Sequence, residues 1–181
     1  MNSSTAMPTR ARRSTLMALT LIGGLALAAC TQPEPTLGPD GKPLPQLYRI
    51  TESDAEVIPT RVVEAMNSLR SVRGTRPVVL NQQLAIAAAA HSQDMAKQNR
   101  PWHWGSDGSS PLTRAARAGY RGEVLGETIS ETYETETETL SVWMGQPETR
   151  DVILNPEATQ MGFAWYQEPS GKIWWTMVTG R

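Results

Sequence analysis

The chain owns two histidines, His91 and His103. Histidine is the side chain whose ordinary pKa lies closest to neutrality, so these two residues are where a proton can most easily be held or passed. His103 stands in Trp102-His103-Trp104, followed by Asp107-Gly108. Further on come Arg114, Gly119-Tyr120, Gly126-Glu127-Thr128-Ile129 and Trp143-Met144. A carboxylate set against a histidine fixes the ring tautomer and favours its protonated form. Such a pair can serve as a hydrogen-bonding clamp, a partial metal site or an acid/base couple. Other chemistries lack their residues. Ser92 is adjacent to His91 on one predicted helix and points elsewhere. Ser106 and Ser109 lack the strand-turn-helix setting of an esterase nucleophile. Neither a glycine-rich phosphate loop nor a paired-acid motif of defined spacing occurs.

The run from His91-Ser92-Gln93-Asp94-Met95-Ala96 to Trp143-Met144 resembles, in order and spacing, the bacterial branch of the CAP superfamily (cysteine-rich secretory proteins, antigen 5 and pathogenesis-related proteins). The resemblance covers about Pro59 to Arg181. It implies an α+β fold, an α/β/α sandwich with a small antiparallel sheet between helical layers. It also implies a cleft that in relatives commonly holds two histidines and two acids. The matching positions are His103 for the first histidine and Glu127 for the acid of a Gly-Glu-Asn motif. Three departures stand out. Thr128 replaces the asparagine. Gln146-Pro147-Glu148-Thr149-Arg150 aligns with a Ser-Pro-Gly-His-Arg-like segment, so Thr149 occupies the place of the second histidine. The second acid has no secure counterpart, although Glu148 lies beside the vacant position.

No metal site and no cofactor is expected. Zinc asks for three or four histidine, cysteine or carboxylate ligands, and the mature domain offers two histidines and no free thiol. His91 shares a helical stripe with Leu84, Ala88 and Met95 and reads as a core histidine with one hydrogen-bond partner. A packed loop with a satisfied imidazole is the plain alternative for His103. A structural carboxylate accepting backbone N–H groups is the plain alternative for Glu127. Six tryptophans stand against one phenylalanine. Trp165, Trp174 and Trp175 read as core or cross-strand packing, whereas Trp102 and Trp104 are placed at a cleft rim, where an indole can stack on a sugar or an acyl chain. The candidate ligand-binding residues are therefore His103, Glu127, Trp102, Trp104 and Thr149, and the candidate catalytic residues are His103 and Glu127.

These residues need elements to carry them. Pro59 suits the first turn of a helix, and Val62, Val63, Met66 and Leu69 recur at helical spacing until Gly74 and Pro77. Asn81 caps a second helix from Gln82 to about Asn99, with Leu84, Ala88, His91 and Met95 on one face. Ser109-Ser110-Pro111 opens a short helix ending at Gly119. Val124 to Ile129 reads as a strand. Glu131 to Thr139 alternates threonine with glutamate without an apolar face, which predicts a solvated loop leading into a helix that buries Leu140, Trp143 and Met144. Pro147 starts another short turn of helix. A hairpin closes the chain, with period-two patterns around Phe163 and Trp175 joined by Glu168-Pro169-Ser170-Gly171.

The first 29 residues read as an address. Arg10, Arg12 and Arg13 precede a short apolar stretch, Leu16 to Leu27, too short for a membrane span of about 20 residues. Leu27-Ala28-Ala29-Cys30 resembles a bacterial lipobox and implies acylation at Cys30, the sole cysteine. Thr31 behind it favours the outer membrane by analogy with Gram-negative sorting. Residues 30–57 are proline-rich and read as a tether. At ~3.1 Å per residue, about 25 such residues span up to ~80 Å. Residues 58–181 are then the CAP-like domain. Removing residues 1–29 takes three of the 17 basic side chains and none of the 18 acidic ones, leaving a net charge of −4. No basic patch remains for nucleic acid. With Cys30 acylated no disulfide can form, so the fold rests on its apolar core.

The sequence thus predicts a lipid-anchored envelope protein, held in the outer membrane facing the periplasm. Its CAP-like domain binds a lipid, glycan or protein ligand without catalysis, at a His/Glu cleft lacking the second family histidine. The alternatives are a protease-like hydrolase using His103 and Glu127, and a structural protein that packs against an envelope partner.

Overall fold

The computed structural model describes Met1, 47–132 and 134–181. The compact unit that carries the candidate site runs from Pro45 to Arg181. The predicted leader beyond Met1, the predicted acylation site Cys30 and the tether as far as residue 46 lie outside the described residues. In chain order the elements are α1 (Glu52–Val72), β1 (Val79–Leu80), α2 (Gln82–Gln98), α3 (Pro111–Arg117), β2 (Val124–Thr132), α4 (Glu136–Gly145), α5 (Pro147–Ile153), β3 (Gln160–Gln167) and β4 (Ile173–Gly180). None of these helices is long and apolar enough to cross a membrane.

The strands form one sheet in the order β1-β3-β4-β2. The β3–β4 hairpin and the β4–β2 pair are antiparallel, whereas β1 joins β3 in parallel. The sheet is therefore mixed, not purely antiparallel as expected. Two residues of strand carry no periodicity, and β1 follows from the tertiary bonds Val79 N–H to Thr159 O and Asn81 N–H to Met161 O. Both faces are covered. On one, Ile58, Val62 and Met66 of α1, Leu140 and Trp143 of α4 and Ile153 of α5 pack on Met161, Phe163, Ile173, Trp175 and Met177. On the other, Leu84, Ala87 and Ala88 of α2 and Ala115 of α3 pack on Ala164 and Val178. Every residue of β4 is buried, as befits a strand with helices above and below. Trp174 and Trp175, on opposite faces by strand geometry, are both fully enclosed.

α2 can lie close to the sheet because of one glycine. A Cβ on Gly162 would sit 2.1 Å from the carbonyl carbon of Leu84 and 2.2 Å from the amide nitrogen of Ala85. The alanine run on the same helix serves the same close approach, and Asn81 caps the helix at Leu84 N–H as predicted.

Two boundaries differ from expectation. α1 starts at Glu52, not Pro59, because Thr51 and Asp54 cap each other reciprocally: Asp54 N–H donates to Thr51 Oγ1, and Thr51 N–H to Asp54 Oδ2. Pro59 lies inside the helix, where proline costs roughly 3 kcal/mol. Burial of Ile58, Val62 and Met66 offsets that cost. Residues 47–57 are thus part of the domain and not tether. The Gln167 side chain donates to Tyr48 O and Gly171 O and accepts from Ile50 N–H, while Arg49 donates to Glu168 O and Pro169 O. β2 runs on to Thr132, past the predicted end at Ile129. Glu131, expected in a loop, stands opposite Trp174 and pairs with Lys172 at 3.0 Å.

The loop after α5 is held by Arg70. Its buried guanidinium donates to the carbonyls of Arg76, Ile153, Asn155 and Ala158 at 2.8–2.9 Å. Ile153 O is one of the end carbonyls that α5 leaves open, and the other three lie in loops.

Candidate ligand site around His103 and Glu127

Glu127 reaches the site through a bulge. β2 pairs Val124 with Gly180 and Gly126 with Thr179, so Leu125 is an extra residue. The extra residue resets the alternation. Val124 and Glu127, three apart, consequently both face α2 and α3, while Leu125 packs into the opposite core. Gly126 gives α5 room on that opposite face, since a Cβ there would meet Val152 at 2.8 Å.

The Glu127 side chain is nearly enclosed, at 2% exposure, and three cationic or ionisable groups surround it. Oε2 accepts from an Arg114 Nη at 2.7 Å, and Oε1 accepts from His103 Nδ1 at 2.9 Å. His91 Nε2 lies 3.6 Å from Oε1. The two family-matched residues, 24 apart in sequence, are thus hydrogen-bonded to each other. A carboxylate accepts, so His103 Nδ1 is the donor in this bond. Its side chain is 53% exposed.

His91 is different. It is fully buried, and its Nε2 donates to the Trp102 carbonyl at 2.9 Å. Burial pushes its pKa below the ordinary 6.5, and the neighbouring Glu127 opposes that shift only in part. It is a neutral core histidine with one partner, and its Nδ1 has none among the described residues. With Nε2 committed as a donor, His91 is not a ligand-ready nitrogen. Among the described residues no three His, Cys, Asp or Glu side chains gather as a metal-ligand set.

Sequence reasoning missed the part played by Arg114. α3 begins at Pro111 with Ser110 as its cap, which places Arg114 one turn in and beneath the 102–110 loop. Besides Glu127 it donates to His103 O at 3.1 Å and Ser109 O at 2.9 Å. One guanidinium therefore fixes both the carboxylate and the backbone of the histidine it orients. Asp94 of α2 secures the loop from the other side. Burial pulls its carboxyl upward, but hydrogen bonds from the Ser106 hydroxyl, the Ser106 amide and Gln98 outweigh burial and hold it below the usual range.

The remaining candidates separate. Trp102 is anchored, with its indole N–H on Gln98 Oε1 at 2.9 Å and the Arg100 guanidinium 3.7 Å from its ring centre. Trp104 is open, at 53% exposure. Thr149 uses its hydroxyl on the Trp143 carbonyl at 2.6 Å, closing the end of α4. It lies one helical turn from Val152, the residue against Gly126, so its helix face turns toward β2.

A family model described as CAP, the cysteine-rich secretory protein family, matches residues 63–179. The chain belongs to this family. Its CAP domain is 31% identical over 121 residues to the uncharacterized protein YkwD of Bacillus subtilis, a match covering 67% of this chain and 46% of the relative. The chain thus spans about half the length of that curated relative. The CAP fold recurs in an extracellular SCP-domain protein from Bacillus anthracis, with a TM-score of 0.64, 21% identity and coverage of 74% of this chain and 45% of that one. It recurs also in an outer surface protein from Borrelia burgdorferi, with a TM-score of 0.62, 12% identity and coverage of 75% and 98%. At these identities the likeness is one of fold.

Proposed function

We propose that this CAP domain is a non-catalytic binding module of the bacterial cell envelope, carried on a lipid anchor at Cys30. Its ligand, a lipid, glycan or protein of the envelope, docks on His103. The observation that carries the reading is the direction of the His103–Glu127 hydrogen bond. Glu127 is buried and tied to Arg114, so the imidazole is held by Nδ1, and Nε2 is the ring nitrogen left for a polar group of the ligand. The open indole of Trp104, next in sequence, adds a surface on which an apolar or sugar face can stack. Thr149 stands where a second histidine would offer a second ring, and its hydroxyl is already committed. One polar ring nitrogen beside one aromatic face suits recognition. The extracellular and outer-surface settings of the two proteins sharing the fold support an envelope location.

A second reading is favoured by the same bond: a carboxylate-oriented histidine with an open nitrogen is how a general base is held. One pair of measurements separates the two. Native mass spectrometry of the protein purified from its own envelope is expected to show a retained molecule that His103→Ala loses, while peptide and glycan turnover stays at background in both forms. Turnover that His103→Ala abolishes would establish the hydrolase. Retention unaffected by His103→Ala would remove the docking site.

A further inference from the structure

A hollow of about 460 Å³ is lined by α2, α3 and the loop before α3, Arg114 included. Its volume lies within the range of small-ligand sites, and neither His103 nor Glu127 lines it. Ile86, Ala87, Ala90 and Ala118 form an apolar floor. From Ile86 to Ala90 that floor spans one helical turn, about 6 Å, the width of a single ring or a short alkyl segment. Ile86 is half exposed, a large apolar residue facing water along a groove.

The polar end of the groove is dominated by donors. Its two acids are already satisfied: Asp94 accepts from Ser106 and Gln98, and Asp107 accepts from the Ser109 amide and Arg117. Of its three cations, Arg114 is bound to Glu127 and Arg117 to Asp107. Lys97 is exposed and has no carboxylate partner among the described residues. Helical side chains lean toward the N-terminus, and Lys97 lines the groove together with Gln93 and Asp94, one turn before it.

We propose that this groove is a second binding site, separate from His103, for a small carboxylate with a short apolar body. The body lies on Ile86, Ala90 and Ala118, and the carboxylate takes the Lys97 ammonium. The Lys97 ammonium selects the acid over a neutral or cationic molecule of the same shape.

Benzoate, benzyl alcohol and benzylamine share a body and differ in head group. Each is titrated into the full chain carrying labelled isoleucine methyl groups, with the Ile86 resonance as readout. Benzoate is expected to shift it saturably, with the alcohol and amine at least tenfold weaker. Lys97→Glu, at an exposed position, is expected to weaken benzoate at least tenfold and to abolish its lead over the alcohol. His103→Ala is expected to leave the titration unchanged, so that failure of the His103 docking site and failure of this groove are told apart. Equal binding of all three heads, no saturable shift, or indifference to Lys97→Glu would overturn the proposal. So would loss of binding in His103→Ala, which would place the acid at His103.

Discussion

His91 and His103 approach the same carboxylate oxygen, at 3.6 and 2.9 Å, yet their surroundings give them opposite uses. His103 is open and tied by Nδ1 to an anion. His91 is sealed between α2 and the loop, and burial makes its charged form costly. This has a consequence for stability. A folded pKa below the ordinary 6.5 means that the folded state favours neutral His91. The associated stability is fully present above pH 6.5 and is lost as pH falls through the folded value. The carboxyls of Asp54, Asp94 and Glu138 act later, since all three are held below their ordinary values of 3.8 to 4.5. The urea midpoint of the protein is therefore expected to fall between about pH 7 and about pH 5, and His91→Gln is expected to flatten that limb. An equal acid limb in both proteins would show that His91 does not cause it.

At the scale of elements, the helix–sheet contact depends on a missing side chain. Adding one methyl group at Gly162 drives Cβ into the α2 backbone, which has no rotamer with which to yield. Gly162→Ala is accordingly expected to cost at least about 2 kcal/mol, the upper part of the overpacking range, measured by urea unfolding. Gly145, with nothing within 4 Å of a built Cβ, serves as the control and should tolerate alanine. A Gly162→Ala protein of unchanged stability would mean that α2 rides further from β3. What could be read from the sequence divides along the same line. Local signals were legible: the Asn81 cap, the Leu84-Ala88-His91-Met95 stripe, Pro111 at the start of α3, the hairpin turn at Glu168-Gly171. Signals that arise only between elements were not. β1 exists because β3 lies beside it, β2 reaches Thr132 because Trp174 and Lys172 hold Glu131, and α1 absorbs Pro59 because its neighbours are buried. The site followed the same rule. His103 and Glu127 could be named by resemblance, but Arg114 needed the β2 bulge and the tilt of α3 to find its carboxylate.

For the whole molecule, location is tested at Cys30, the proposed anchor, since none of the described helices is long and apolar enough to cross a membrane. Cys30→Ala is expected to move the protein from the membrane fraction to the soluble fraction, with the domain's unfolding midpoint unchanged. Persistence in the membrane would contradict acylation there. The entry into the domain bears on how such a protein would carry load. Residues 48–50 are clasped by the Gln167 and Arg49 side chains before α1 begins. Traction arriving along the chain from residue 46 meets those bonds first and loads several of them together, while the capped first turn of α1 lies behind them. The clasp thus works as a strain relief: a tug from an anchor would be spent at the hairpin's turn, before it could unwind α1 or disturb the packing around Glu127.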